Sequence, residues 1–163
     1  MILGVDPGCE NTGYGFIYSD GQDHRLIDYG AIHTNRRDAF PARLRQIHAQ
    51  LSDLIRRHRP QTAALEDVFY AVNVKSALRL GHARGVILLA AAEADLSIHA
   101  YSPLEVKNAV VGYGRAEKSQ VQKMVQLILA LHEAPVPNDA SDALAVALCH
   151  AFHLTYQRMK DEG

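Results

Sequence analysis

The sequence predicts an α/β fold: a mixed five-stranded sheet, its first three strands antiparallel, with helices on its faces. Two observations carry this reading. Three β-rich runs follow one another at the start with only short turns between them, as in a meander. From Phe40 onward helical and β patterns alternate, as crossover connections to further strands require.

The elements follow in order. Ile2 to Asp6 is short, apolar and closed by Pro7-Gly8, which reads as a buried strand entering a turn. Thr12 to Tyr18 alternates small residues with Tyr14, Phe16 and Tyr18, and Ser19-Asp20-Gly21-Gln22-Asp23 turns into a third strand, Arg25 to Thr34. Leu44, Ile47, Leu51, Leu54 and Ile55 then recur at helical spacing until Pro60 stops them. Thr62 to Leu65 is a fourth strand with Glu66 at its C-terminal end, Asn73 to about Ala94 a helix, and Ser97 to Tyr101 a fifth strand. Ser102-Pro103-Leu104-Glu105 supplies an N-cap, a proline at the first helical position and a capping-box acid. Gly112-Tyr113-Gly114 ends that helix, Lys118 to Leu131 forms another, and Pro135-Val136-Pro137 is a rigid connector. Asn138 is placed to cap a final helix from Asp139 to about Lys160.

At 163 residues the chain fits a single domain over 1–163. The longest apolar run, Val86 to Ala92, is far short of the roughly 18 residues of a membrane span, and Met1 leads directly into Ile2-Leu3-Gly4-Val5 without a basic leader. A soluble, cytoplasmic protein is expected, with no membrane partner. Cys9 and Cys149 have neither metal-ligand nor redox spacing and are expected as thiols, Cys149 in the core. His150 and His153 are expected on the surface of the last helix. The net charge of -1 argues against the strongly basic class of nucleic-acid binders. Local balance weakens that objection, because Lys107, Arg115, Lys118 and Lys123 outnumber Glu105 and Glu117 in their segment.

Four acids stand where chemistry is expected. Asp6 and Glu66 end strands, while Asp139 and Asp142, three apart, share a face at the start of the last helix. Each has a plain structural reading. Asp6 before Pro-Gly initiates turns, and helix N-termini favour acids by about 0.3 to 1 kcal/mol each. Glu66 resists such a reading, since an ionised Glu after Ala63-Ala64-Leu65 in a buried strand requires a partner. If the fold gathers all four, repulsion at about 4 Å costs on the order of 4 kcal/mol per pair at an effective dielectric near 20. A cation relieves it. Oxygen ligands without His or Cys favour magnesium or manganese, and such a cluster can hold two ions that hydrolyse a phosphodiester.

The residues carry a resemblance. Ile2-Leu3-Gly4-Val5-Asp6-Pro7-Gly8 with Thr12-Gly13-Tyr14-Gly15, then Leu65-Glu66-Asp67-Val68-Phe69 and Ser76-Ala77-Leu78-Arg79-Leu80-Gly81-His82-Ala83-Arg84-Gly85, resemble the RuvC family of bacterial Holliday-junction resolvases. Val110-Val111-Gly112, Ala116-Glu117-Lys118-Ser119-Gln120-Val121 and Asp139-Ala140-Ser141-Asp142-Ala143-Leu144-Ala145 extend the likeness in register to the final helix. His82 stands where relatives commonly have Gln, and Cys9 where Ser is frequent. Some relatives carry His at the last acid, whereas Asp142 keeps the set all-carboxylate.

The resemblance implies a ribonuclease-H-like fold and a homodimer that nicks two strands of a four-way DNA junction symmetrically, leaving 5′-phosphate and 3′-hydroxyl ends, in recombination and repair. It implies two Mg²⁺ or Mn²⁺ ions held by Asp6, Glu66, Asp139 and Asp142, with Asp6 bridging, and association with a junction branch-migration helicase complex. Phe69 and Tyr70 cannot both point inward from a strand, and the resemblance favours Phe69 stacking on a base. Lys107 and Lys118 match phosphate-contacting lysines; Lys75, Arg79, Arg84 and Arg115 are further DNA-binding candidates. Gly81, Ala83 and Gly85 are expected to give a partner helix close approach at a two-fold interface. Two other readings stay open: an actin-like or sugar-kinase-type nucleotide-binding domain, which shares this sheet topology, and a non-catalytic junction-binding module, which should have lost an acid.

Overall fold

The structure, a computed structural model, describes residues 1–67 and 73–162. Its strands are β1 (Ile2–Asp6), β2 (Asn11–Ser19), β3 (His24–His33), β4 (Thr62–Glu66) and β5 (Ser97–Tyr101). Its helices are α1 (Phe40–His58), α2 (Val74–Glu93), α3 (Pro103–Val111), α4 (Lys118–Ile128) and α5 (Asn138–Asp161). The strands form one sheet in the order β3-β2-β1-β4-β5. β1 and β3 flank β2 in antiparallel fashion, while β4 runs parallel to both β1 and β5. This is the mixed α/β sheet expected from the sequence.

Strand alternation gives each face its own core. Leu3, Val5, Phe16, Ile32, Ala63 and Leu65 pack with Ile47 and Leu51 of α1 and Ala83 and Ile87 of α2. Ile2, Ile17, Ala64 and Tyr101 pack on the other face with Val106 of α3, Val121 and Val125 of α4, and Leu144 and Leu148 of α5. α3 starts at the predicted capping box: Ser102 Oγ accepts from the Glu105 amide, and Glu105 Oε2 accepts from the Ser102 amide at 2.7 Å.

Three local expectations need correction. Asn138 does not cap α5. It is the first helical residue, after Pro137, and its Oδ1 accepts from Gln122 Nε2 at 3.1 Å, tying the start of α5 to α4. α4 ends at Ile128 rather than Leu131, and Ala130 just beyond it takes a left-handed φ of 51°. His150 is not on the surface but 1% exposed. Its apolar neighbours on α5 turn that whole face onto the sheet, and the ring survives there because both nitrogens are partnered. Thr62 Oγ1 donates its one proton to the Ser97 carbonyl at 2.9 Å, so His150 Nε2–H must donate to that hydroxyl, at 3.0 Å. Nδ1 is then free to accept from the Tyr101 hydroxyl, at 2.7 Å.

Burial, reinforced by His99 and His153, lowers the His150 pKa from 6.5 to about 4. Below pH 6.5 the unfolded chain takes this proton and the folded chain does not, so stability falls as pH drops from about 6.5 towards 4. The loss is on the order of 3 kcal/mol. His150→Gln keeps a donor and an acceptor without titrating. The difference in unfolding free energy between wild type and His150→Gln should therefore shrink or reverse across that window, measured by urea denaturation at a series of pH values; a pH-independent difference contradicts a neutral buried imidazole.

Candidate active site

Register brings the acids together. β1 and β4 pair in parallel with Val5 beside Leu65, so the residues that follow, Asp6 and Glu66, leave the sheet side by side. Asp6 also lies opposite Gly13 of β2. Counting by twos from Gly4 puts Asp6 on the face covered by α5, and Glu66 falls on that face with Ala64. α5 contributes Asp139 in its first turn and Asp142 beyond it.

Glycines decide how closely α5 approaches. A Cβ on Gly4 would lie 2.0 Å from the Ala143 carbonyl oxygen, and one on Gly13 would lie 2.0 Å from that of Asp139. On Gly15 it would meet Leu144 Cδ2 at 2.5 Å. The helix backbone thus rests directly on β1 and β2, with Ala143 and Ala147 as its small contact residues over Gly4. That seating sets Asp139 and Asp142 over the end of β1.

The carboxylates feel one another. Burial first, then the charges of Glu66, Asp142 and Asp139 and a hydrogen bond with Glu66, push the Asp6 carboxyl well above the usual carboxylate range. Burial also raises Glu66, with Asp142 adding to it and Asp6, Lys118 and Lys107 working against it. A hydrogen bond links the two carboxyls, and burial with the neighbouring charges disfavours ionisation of both at once. Lys118 Nζ donates to Asp142 Oδ2 at 2.6 Å. Partial burial opposes the charge on Lys118, but Asp142, Asp6 and Asp139 outweigh it and raise its pKa. Glu66, Lys107, Lys118 and Asp142 line one cavity of about 250 Å³ with Val106, Val121 and Ala145. A larger cavity of about 390 Å³, walled by Ile55, Arg59, Ala90 and Leu96, lies where α1 and α2 end and holds none of the acids.

Among the described residues no three His, Cys, Asp or Glu side chains already form a closed set of metal ligands. A hydrogen bond joins Asp6 to Glu66, and an ion pair joins Lys118 to Asp142. The donor set nevertheless fits a hard divalent cation: four carboxylates, two of them held above their normal range by burial first and by neighbouring charge second, with no nitrogen or sulfur ligand beside them.

The other candidates separate by layer. Lys107 and Lys118 flank the acids. Arg115 is exposed between α3 and α4, and Lys75 and Arg79 are exposed on α2, in the opposite helical layer. Arg79 lies over the Phe40 ring at 5.1 Å. Phe69 and Tyr70 lie outside the described residues. Gly81 and Gly85 are open, with nothing within 4 Å of an added Cβ. Ala83 is not with them: it is 0% exposed, packed inward towards α1 and the sheet, because two residues along a helix turn it away from the face its neighbours share. The sequence reading missed the ion pair between Arg84 and Asp67, 3.0 Å long, which joins α2 to the chain just after Glu66. No periodicity points to it, since Asp67 follows the strand.

Residues 2–150 match the family Crossover junction endodeoxyribonuclease RuvC. The chain belongs to the RuvC family. It is 48% identical over 159 residues to the crossover junction endodeoxyribonuclease RuvC of Alkaliphilus metalliredigens, covering 98% of this chain and 97% of that protein. Thermus thermophilus RuvC, solved in complex with Holliday junction substrate, superposes with a TM-score of 0.92 at 37% identity, covering 96% of this chain and 95% of that one. The yeast mitochondrial Holliday junction resolvase Ydc2 shares the fold, with a TM-score of 0.71 at 14% identity over 98% of this chain and 81% of its own. Membership makes the chain an enzyme of a nuclease family. No helix among the described residues is long and apolar enough to cross a membrane.

If the glycine floor sets the site, Gly13→Ala must lift the start of α5. Cleavage of a four-way junction should fall roughly 100-fold, as expected for a misplacement near 1 Å, while junction affinity stays within about twofold. Unchanged cleavage would show that Asp139 does not depend on this contact.

Proposed function

We propose that this chain resolves four-way DNA junctions by metal-dependent hydrolysis at Asp6, Glu66, Asp139 and Asp142. The observation that carries the reading is the convergence of these four acids from β1, β4 and α5 onto one end of the sheet, in a chain of the RuvC family. Two bound Mg²⁺ or Mn²⁺ ions would supply Lewis-acid polarisation of the scissile phosphate and activation of the attacking water. The four carboxylates would hold the ions and fix their spacing. Lys107 and Lys118, on the rim of the same cavity, would hold the DNA backbone. Phe69 would stack on a base near the crossover, with Tyr70, Lys75, Arg79 and Arg115 extending the contact. The products would be 5′-phosphate and 3′-hydroxyl ends that a ligase seals, in recombination and repair.

Two equivalent scissile phosphates call for two sites related by the symmetry of the substrate, hence a homodimer. The outward face of α2 suits it: Gly81 and Gly85 leave open space, and Leu78 and Leu89 are 60% and 50% exposed. Ala83 belongs to the core and takes no part. A junction branch-migration complex would supply the substrate in the cytoplasm.

Replacing each acid by its amide separates metal binding from DNA binding. Asp6→Asn, Glu66→Gln, Asp139→Asn and Asp142→Asn should each bind the junction at near wild-type affinity and cut it at least 100-fold more slowly in Mg²⁺. Retained cleavage in either α5 variant would break the four-acid assignment. Gly85→Glu should yield a monomer by light scattering that nicks a cruciform plasmid without linearising it, and because nothing lies within 4 Å of that position the fold should tolerate the change. A dimeric Gly85→Glu protein that linearises the plasmid normally removes α2 from the interface.

A further inference from the structure

α1 carries a charge where its apolar stripe should continue. Arg43 is one turn before Ile47 on the inward face and is only 4% exposed. A buried guanidinium calls for hydrogen-bonded partners, and among the described residues those of Arg43 include no carboxylate. Arg43 NH2 donates to the Cys9 carbonyl at 2.8 Å, Nε donates to Thr34 Oγ1 at 3.0 Å, and the Phe40 ring lies 5.8 Å from the guanidinium carbon.

These partners converge on the turn that follows Asp6. The Cys9 carbonyl also accepts from Thr34 Oγ1 at 2.6 Å, and the Glu10 carbonyl accepts from the Thr34 amide at 2.8 Å. The Gly8 carbonyl accepts from Thr12 Oγ1 at 2.8 Å. Three successive carbonyls of the turn are therefore captured, and Arg43 locks the hydroxyl that captures the middle one. Nothing in this arrangement touches the reacting atoms. It fixes the turn that begins two residues after Asp6.

We infer that Arg43 is a positioning residue for Asp6: its buried guanidinium clamps the Gly8–Glu10 turn to α1 and to Thr34 just beyond β3, so that the Asp6 carboxylate is held beside Glu66 to receive a divalent cation. The inference rests on the reading of Asp6 as a metal ligand. Arg43 meets the two oxygens from two nitrogens of one planar fork, whereas an ammonium on a flexible stem has no fixed orientation towards the pair, so charge alone does not replace it.

The experiment compares Arg43→Lys, Arg43→Met and Thr34→Val with wild type and with Asp6→Asn. Mn²⁺ affinity of the DNA-free protein is measured by electron paramagnetic resonance titration, and junction affinity in Ca²⁺ and the unfolding temperature are measured alongside. Arg43→Lys and Thr34→Val should fold, bind junction within about twofold of wild type, and weaken Mn²⁺ binding about tenfold, with a matching rise in the Mg²⁺ concentration for half-maximal cleavage. Adding methylguanidine to Arg43→Met should restore part of the metal affinity. Arg43→Lys and Thr34→Val with wild-type metal affinity overturn the inference, as does a lowered unfolding temperature with no change in metal dependence. The two failures are distinguishable: wild-type metal affinity in Asp6→Asn defeats the reading of Asp6 itself, whereas its loss there alone defeats only the role of Arg43.

Discussion

The seating of α5 on β1 and β2 is the contact on which the site depends. Two of the four acids belong to the sheet and two to this helix, and only a helix packed backbone to backbone brings the sets together. Side chains at Gly4 and Gly13 would lift α5 by the width of a methyl group or more, because each added Cβ would fall 2.0 Å from a helix carbonyl oxygen, and one at Gly15 would displace the Leu144 side chain. The glycines alternate in the strands because strand side chains alternate between faces. Their intervening partners, Val5, Tyr14 and Phe16, fill the opposite core. The same period-two pattern therefore builds one core and clears the floor for the other.

Close approach has an electrostatic consequence. Carboxylates gathered this tightly resist ionisation, which is why burial and mutual charge raise Asp6 and Glu66. Lys118 relieves part of the charge at Asp142 from the start of α4, a helix held to α5 by the Gln122–Asn138 bond. Packing thus places both the acids and the cation beside them. An exposed lysine on a flexible stem is a movable counter-charge, whereas the acids sit on strand ends and a buried helix.

What was legible in the sequence was what repeats or punctuates. The strands were readable from alternation and Pro-Gly or Asp-Gly turns, and α3 from its capping box. The acids were readable as candidates because Asp6 and Glu66 end apolar runs and Asp139 and Asp142 open a helix on one face, but which acids meet was legible only through the resemblance. Pairing register is a long-range property, and nothing local puts Asp6 beside Glu66. Errors fell where tertiary contact overrides local preference. Asn138 looks like a cap, yet Gln122 claims its side chain. His150 looks like a polar surface residue, yet Thr62 and Tyr101 on two different strands make it a good core residue. Ala83 has the size of an interface residue and lies on the inward side of its helix.

The balance of charge can be argued the same way. A net charge of -1 would repel a polyanion if charge were spread evenly. It is not. The acids that matter are concentrated at one end of the sheet, where burial and Lys118 already blunt them. Lys107 and Lys118 rim that end from α3 and α4, while Lys75 and Arg79 are exposed on α2 in the other helical layer. The Lys118 side chain is 57% exposed and the Asp142 carboxylate it pairs with 20%, so the cation is the more accessible of the two. With screening over about 10 Å at ordinary salt, the remaining surface acids count for little. Local arrangement, more than the total, therefore determines whether this chain can hold DNA against a cluster of acids.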